Sequence, residues 1–140
     1  MYKYSTPEII SKLSKHPNVL YMTDAWVEDF GTQNTAIYDC FPKFLHLSLN
    51  GKGDTMENTV RKMTGAVADR FSISERGYLK AGYYADLTIF DEKELKTAEV
   101  DKQHSYGIKT VFVNGKQVLC DGKLNEKVFA KAGRAMPSKK

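Results

Sequence analysis

The chain has 140 residues, a net charge of +4 and 41% hydrophobic content, enough for a packed core within the length of one domain. With 27% charged residues and a mean hydropathy of −0.46, it reads as a soluble protein. No apolar run approaches the roughly 20 residues of a membrane span, and residues 1–10 lack the apolar region of a secretory leader. The pI near 9.0 invites a nucleic-acid partner, but the lysines are interleaved with acids, as in DEKELKTAEVDK, and the basic tail (Lys131, Arg134, Lys139, Lys140) carries no interleaved aromatics.

A helix is expected to start near Pro7. Either Ser5 and Glu8 form a capping box, or Thr6 caps with Pro7 at the first helical position. Ile9, Ile10 and Leu13 share one face, and His16-Pro17-Asn18 ends the element. Residues 19–22, VLYM, form a short continuous apolar run of the kind found in strands buried on both faces. Residues 25–39 are polar, contain Gly31 and are expected to be a long loop. Phe41, Phe44, Leu45 and Leu49 fall at helical spacing, which predicts a helix over 41–49. The run Asn50-Gly51-Lys52-Gly53 breaks it. Asp54 or Thr55 then caps a helix through Val60 and Met63 that stops near Thr64-Gly65, and a short helical turn follows over 66–71.

From about Ser72 the apolar period becomes strand-like. Residues 87–90 form a strand after the turn at Lys80-Ala81-Gly82. Residues 109–113 and 116–119 flank Asn114-Gly115, the strongest short hairpin signal, because both turn residues must take positive φ. Asp121-Gly122 turns the chain again. A boundary between a helical half, residues 1–71, and a β half, residues 72–140, is expected near 71–78.

Asp24 is the first candidate for chemistry. A carboxylate just past the end of a buried parallel strand stands where barrel enzymes place catalytic groups, although by position alone an Asp there is more often a turn residue or helix cap. His16, His46 and His104 are scattered, none lies in H-x-H, and each is expected in a surface role. Trp26, Tyr38 and Phe41 either line an acyl or side-chain pocket or pack into the fold. Asp86 is expected to order a turn. Cys40 and Cys120 show no C-x-x-C spacing and read as reduced cytosolic thiols, with a disulfide or metal pair as the other reading. No Gly-rich phosphate loop, G-x-S-x-G or Cys-His nucleophile pair is present; the GKG at 51–53 is too short to cradle phosphate.

Residues 77–91, GYLKAGYYADLTIFD, followed by VFVNGKQVL, resemble the closing segment of metal-dependent amidohydrolases. With HPNVLYMTDAW and TVRKMTGAVADRF upstream, the similarity narrows to the N-acyl-D-amino-acid deacylase (D-aminoacylase) branch. The resemblance implies a C-terminal fragment of a TIM-like (β/α) barrel, α/β in class, followed by part of a small β-sandwich. It implies that residues 1–71 are the terminal barrel segment and that most metal ligands lie in sequence upstream of Met1. Asp24 would be the aspartate after the last barrel strand, touching the metal and its bound water and passing a proton to the leaving amine. Thr23-Asp24-Ala25 departs from the family's small residue, Asp, Gly, and the stretch 34–42 keeps Phe41-Pro42 without the usual histidine and glycine. Zinc is implied in the complete enzyme and none in the isolated chain. The implied substrate is a small N-acyl amino acid in the cytoplasm, with no nucleic-acid or membrane partner. A homo-oligomer or a separate upstream barrel half would complete the fold. A non-catalytic remnant or interaction module, or one half of a split enzyme, is the alternative.

Overall fold

The computed structural model describes residues 6–31, 33–99 and 105–136; Ser5, His104, Lys139 and Lys140 lie outside them. Helix α1 spans Pro7–Lys15. Thr6 is its N-cap, with Oγ1 accepting from Ile9 N at 3.4 Å and proline in the first turn, and His16 closes it. The expected apolar face is turned outward, however: Ile9 and Leu13 are exposed and Ser14 is the buried residue. Ile10 is half-buried, and the Ser14 carbonyl accepts from the Lys62 side chain.

Residues 19–22 do not form the expected strand. A strand needs neighbouring ladder groups, and the backbone bond found here runs from Tyr21 N to the carbonyl of Lys62, a helical residue, at 3.3 Å. Helix α2 spans Ala36–Leu49, so it starts five residues before the expected position and shortens the loop. Asn34 Oδ1 accepts from Ala36 N at 3.0 Å, and the Thr35 carbonyl accepts from Tyr38 N and Asp39 N. These local bonds nucleate the extra turn. Pro42 lies inside the helix and has no N–H for the Tyr38 carbonyl four residues back. Ser105 Oγ donates to that carbonyl instead.

Helix α3, Met56–Met63, is capped by Thr55, whose hydroxyl accepts from Asn58 N at 3.2 Å. Helix α4, Gly65–Arg70, follows after Thr64. The remaining elements are β1 (Leu87–Phe90), α5 (Glu92–Thr97), β2 (Ile108–Val113), β3 (Lys116–Cys120), β4 (Lys123–Leu124) and α6 (Glu126–Ala132). The four strands form one antiparallel sheet in the order β1-β2-β3-β4. Asn114 (φ 50°) and Gly115 (φ 76°) form the expected tight turn between β2 and β3. Asp121 and Gly122 repeat the same chemistry before β4.

The sequence pattern gave no warning of α5, which lies in the charge-rich stretch. Its signal is the cap: Asp91 Oδ1 accepts from Glu94 N at 2.8 Å. Its one apolar residue in the middle, Leu95, is fully buried. Leu95 joins Leu45 and Tyr106 in the core, surrounded by Leu49, Met56, Val60, Met63, Phe90 and Ala98. That cluster draws on residues from both sides of position 71, so the helical layer and the sheet share one apolar centre. Burial of a leucine side chain is worth about 1.5–3 kcal/mol. The packing is close enough that Gly107 (φ 70°) has no room for a side chain, because a Cβ there would sit 2.6 Å from Leu95 Cγ.

Candidate functional site

The segment carrying Asp24 is tied down at its start. The Tyr21 ring stacks on Phe44 of α2, with centroids 4.1 Å apart, and its hydroxyl donates to the Ser14 carbonyl at 3.3 Å. Burial pushes the Tyr21 phenol up from its usual range. One residue on, Cys40 Sγ donates to the Met22 carbonyl at 3.3 Å. Burial and then the Asp39 charge raise the Cys40 thiol, holding it in the protonated donor form. Past this anchor the chain turns outward. Asp24 takes a left-handed conformation (φ 45°) and is exposed. Asp tolerates that region better than most residues, which matches a carboxylate placed at a sharp turn.

The loop beyond Asp24 is also ordered from within. Glu28 N donates to Gln33 Oε1 at 2.9 Å and Gln33 Nε2 donates to the Glu28 carbonyl at 2.8 Å. Trp26 Nε1 donates to Glu28 Oε1 at 2.7 Å. Met22, Trp26, Val27 and Phe30 nevertheless stand exposed, Phe30 by 89%. Trp26 is thus largely exposed, and Phe41 is partly exposed on α2.

Behind Tyr21 lies a polar cluster that sequence reasoning passed over. The Lys62 side chain is only 4% exposed; its Nζ donates to Asp54 Oδ2 at 2.6 Å and to the Ser14 carbonyl at 2.5 Å. The bond from Lys62, followed by those from Thr55 N and Asn58, holds the Asp54 carboxyl below its ordinary 3.8. Beside them, fully buried Thr59 shares a hydroxyl hydrogen bond with Ser48 at 2.6 Å. The available sequence signal was spacing: Thr59 and Lys62 are three apart on α3, which puts both on its inward face.

His46, expected at the surface, is half-buried, with Nδ1 2.8 Å from the Leu95 carbonyl, so it ties α2 to α5. Asn50 Nδ2 adds a bond to the Lys96 carbonyl at 3.1 Å. Four residues separate His46 from Asn50 on one helical face, and the end of α5 supplies the acceptors. His16 caps α1, and its Nδ1 accepts from Asn18 N at 3.2 Å. Cys40 and Cys120 are both free thiols.

Asp86 orders a turn, as expected. Its Oδ1 accepts from Asn114 N at 2.8 Å, and its other oxygen pairs with Arg76. Arg76 also donates to the Asn114 side chain, whose Nδ2 donates to the Ala132 carbonyl at 2.6 Å. Arg76 and Arg134 both lie over the Tyr84 ring, at 4.4 and 4.5 Å. A cavity of about 370 Å³ is lined by Arg76, Arg134 and the hairpin turn. A larger one of about 650 Å³ lies between α5 and the start of β2. Neither includes Asp24.

Among the described residues, no three His, Cys, Asp or Glu side chains converge as metal ligands. Three protein ligands are typical of a catalytic zinc, so Asp24 supplies at most one carboxylate to such a centre. No helix among the described residues is long and apolar enough to cross a membrane.

The described residues thus form a helical layer packed beside a small antiparallel sheet. Residues 10–119 match the amidohydrolase family, and the chain is a member of it. The similarity is to the D-aminoacylase branch. The chain is 42% identical to N-acyl-D-aspartate deacylase of Alcaligenes xylosoxydans xylosoxydans over 46% of its own length and 14% of that protein. It is 38% identical to D-aminoacylase of the same organism, over 59% and 18% of the two lengths. A crystal structure of D-aminoacylase superposes with a TM-score of 0.65 at 33% identity, covering 74% of this chain and 22% of the other. A second D-aminoacylase structure, which concerns that enzyme's binuclear metal centre, superposes equally well. The chain thus spans less than a quarter of the length of each of these relatives.

Proposed function

We propose that the chain is the C-terminal section of a metal-dependent N-acyl-D-amino-acid deacylase, cleaving the amide C–N bond of N-acyl-D-amino acids. Residues 1–71 form the last barrel segment and residues 72–140 part of the β-sandwich. The observation that carries this reading is Asp24: a carboxylate turned out of an anchored segment, inside the matched span, and bonded to no described residue. Its role is that of a base, accepting the proton of the attacking water and giving it to the leaving amine. Zinc is the metal proposed for the complete enzyme. Its remaining ligands are absent from the described residues, so binding of that ion belongs to the complementary barrel half. The free thiols Cys40 and Cys120 support a reducing compartment such as the cytoplasm.

A second reading, a non-catalytic interaction module, is favoured by the exposed apolar side chains of Met22, Trp26, Val27 and Phe30. Assembly with an upstream barrel half carrying the H-x-H ligands separates the two readings. Under the enzyme reading the isolated chain neither turns over N-acyl-D-amino acids nor holds stoichiometric zinc, and the assembly does both. Asp24→Asn should then cut kcat by about 10²- to 10⁴-fold, with folding and assembly intact. An assembly without turnover, or one indifferent to Asp24→Asn, leaves the interaction module as the answer.

A further inference from the structure

We propose that Lys62 is a positioning residue for the Asp24 segment: its buried ammonium locks the end of α1 and the base of that segment onto α3. The inference rests on the reading of Asp24 as a catalytic base. A lysine is among the residues least often buried, unless it is paired. Here Nζ is shared between the Asp54 carboxylate and the Ser14 carbonyl, a group from the last turn of α1. The final carbonyls of a helix lack intrahelical donors, and the helix dipole places negative potential there, so an ammonium suits the position on both counts. The same Ser14 carbonyl accepts from the Tyr21 hydroxyl, and the Lys62 backbone carbonyl accepts from Tyr21 N. Lys62 therefore meets the Tyr21 anchor twice, through its own carbonyl and through a shared acceptor. Asp24 follows Tyr21 by three residues, so the height of the anchor sets where the carboxylate emerges. A purely apolar side chain at position 62 would fill the same space but remove the one ammonium that Ser14 and Asp54 share, leaving the Ser14 carbonyl to the Tyr21 hydroxyl and Asp54 to Thr55 N and Asn58.

Lys62→Met and Asp54→Asn in the full chain provide the test, read by NMR. Lys62→Met should abolish the Tyr21–Phe44 ring contact and speed exchange of the Tyr21 amide about tenfold or more. The amides of the β2–β3 hairpin, an internal gauge of folding, should be unchanged. Asp54→Asn keeps the ammonium and should move the same signals less. Unchanged Tyr21 signals, or loss spread equally into the hairpin in both variants, overturn the proposal. In the assembly with an upstream barrel half, Lys62→Met should lower kcat up to about a hundredfold with KM unaltered, the pattern of a misplaced group. A normal kcat for Lys62→Met where Asp24→Asn has lost it also overturns the proposal. An unaltered kcat in Asp24→Asn defeats the assignment of Asp24 instead, and the Tyr21 signals alone then decide the role of Lys62.

Discussion

The β2–β3 hairpin and residues 19–31 are both rich in apolar side chains, yet only the hairpin is a pair of strands. The hairpin carries its own instructions: a two-residue turn with both φ values positive, and β1 and β4 completing the ladder on either side. Residues 19–22 carry an equally strong apolar run but no partner strand among the described residues, and the segment is held by one backbone bond to the Lys62 carbonyl and by side chains: Tyr21 on Phe44 and Ser14, Cys40 on the Met22 carbonyl. Strand propensity is a statement about a pleated, half-buried surface. Without neighbours the same residues form no strand.

The largest effect is expected at the apolar core that α2, α3, α5 and β1 share. Leu95→Ala removes the fully buried side chain of the core and should cost about 2–5 kcal/mol. Gly107→Ala should cost a similar amount, because its Cβ meets Leu95 at 2.6 Å and its φ is disfavoured for a side chain. Chemical denaturation followed by circular dichroism measures both. A loss confined to the sheet, with the helices intact, would show two separate units rather than one shared core.

Next comes the hairpin itself. Asp86→Asn keeps an acceptor for Asn114 N but discharges the pair with Arg76, which is partly solvent-exposed. A cost of about 1 kcal/mol is expected, with kcat in the assembled enzyme nearly unchanged. Thermal melts and turnover, measured side by side, separate this turn from Asp24.

Acid should act on the helical side first. Asp54 titrates below 3.8 in the folded chain because Lys62 and the α3 N-terminus favour its charged form. A carboxylate depressed on folding contributes its full stability above its unfolded value and loses it as pH falls through the folded value. As pH falls below about 3.8 the Tyr21 signals should therefore weaken in the wild type, and this response should vanish in Asp54→Asn. A response that persists in the variant would assign the acid sensitivity to other carboxylates.

What the sequence revealed follows the same divide. The caps at Thr6 and Thr55, the break at residues 50–53 and the Asn114-Gly115 turn are local, so a few adjacent residues specify them, and the structure contains all of them. The early start of α2 escaped notice because Pro42 reads as a helix boundary, and its cost is offset by Ser105, 63 positions along the chain by numbering. Helix α5 was hidden because a six-residue helix with one apolar residue has no periodicity to detect. Asp24 was legible as a candidate only through the residues flanking it. Lys62 was not, because a lysine three residues after a threonine looks like ordinary solvated helix surface until Asp54 and the Ser14 carbonyl are brought to it.

The smallest expected effect concerns the other face of that segment. Val27 and Phe30 are 74% and 89% exposed, so Val27→Ser and Phe30→Ser remove little buried area. Each should change the stability of the chain by no more than about 0.5 kcal/mol, as for ordinary surface positions. The same changes should matter to association, because exposed apolar side chains gathered on one segment favour contact with another chain. Light scattering across a concentration series should show the wild type self-associating and the double variant shifted toward monomer, with identical melting temperatures. A large loss of stability would mean that these side chains pack inside the chain's own fold. A wild type that remains monomeric at every concentration would mean that the Tyr21, Lys62 and Cys40 contacts already hold the segment closed, and the contrast with the hairpin would narrow to one of geometry alone.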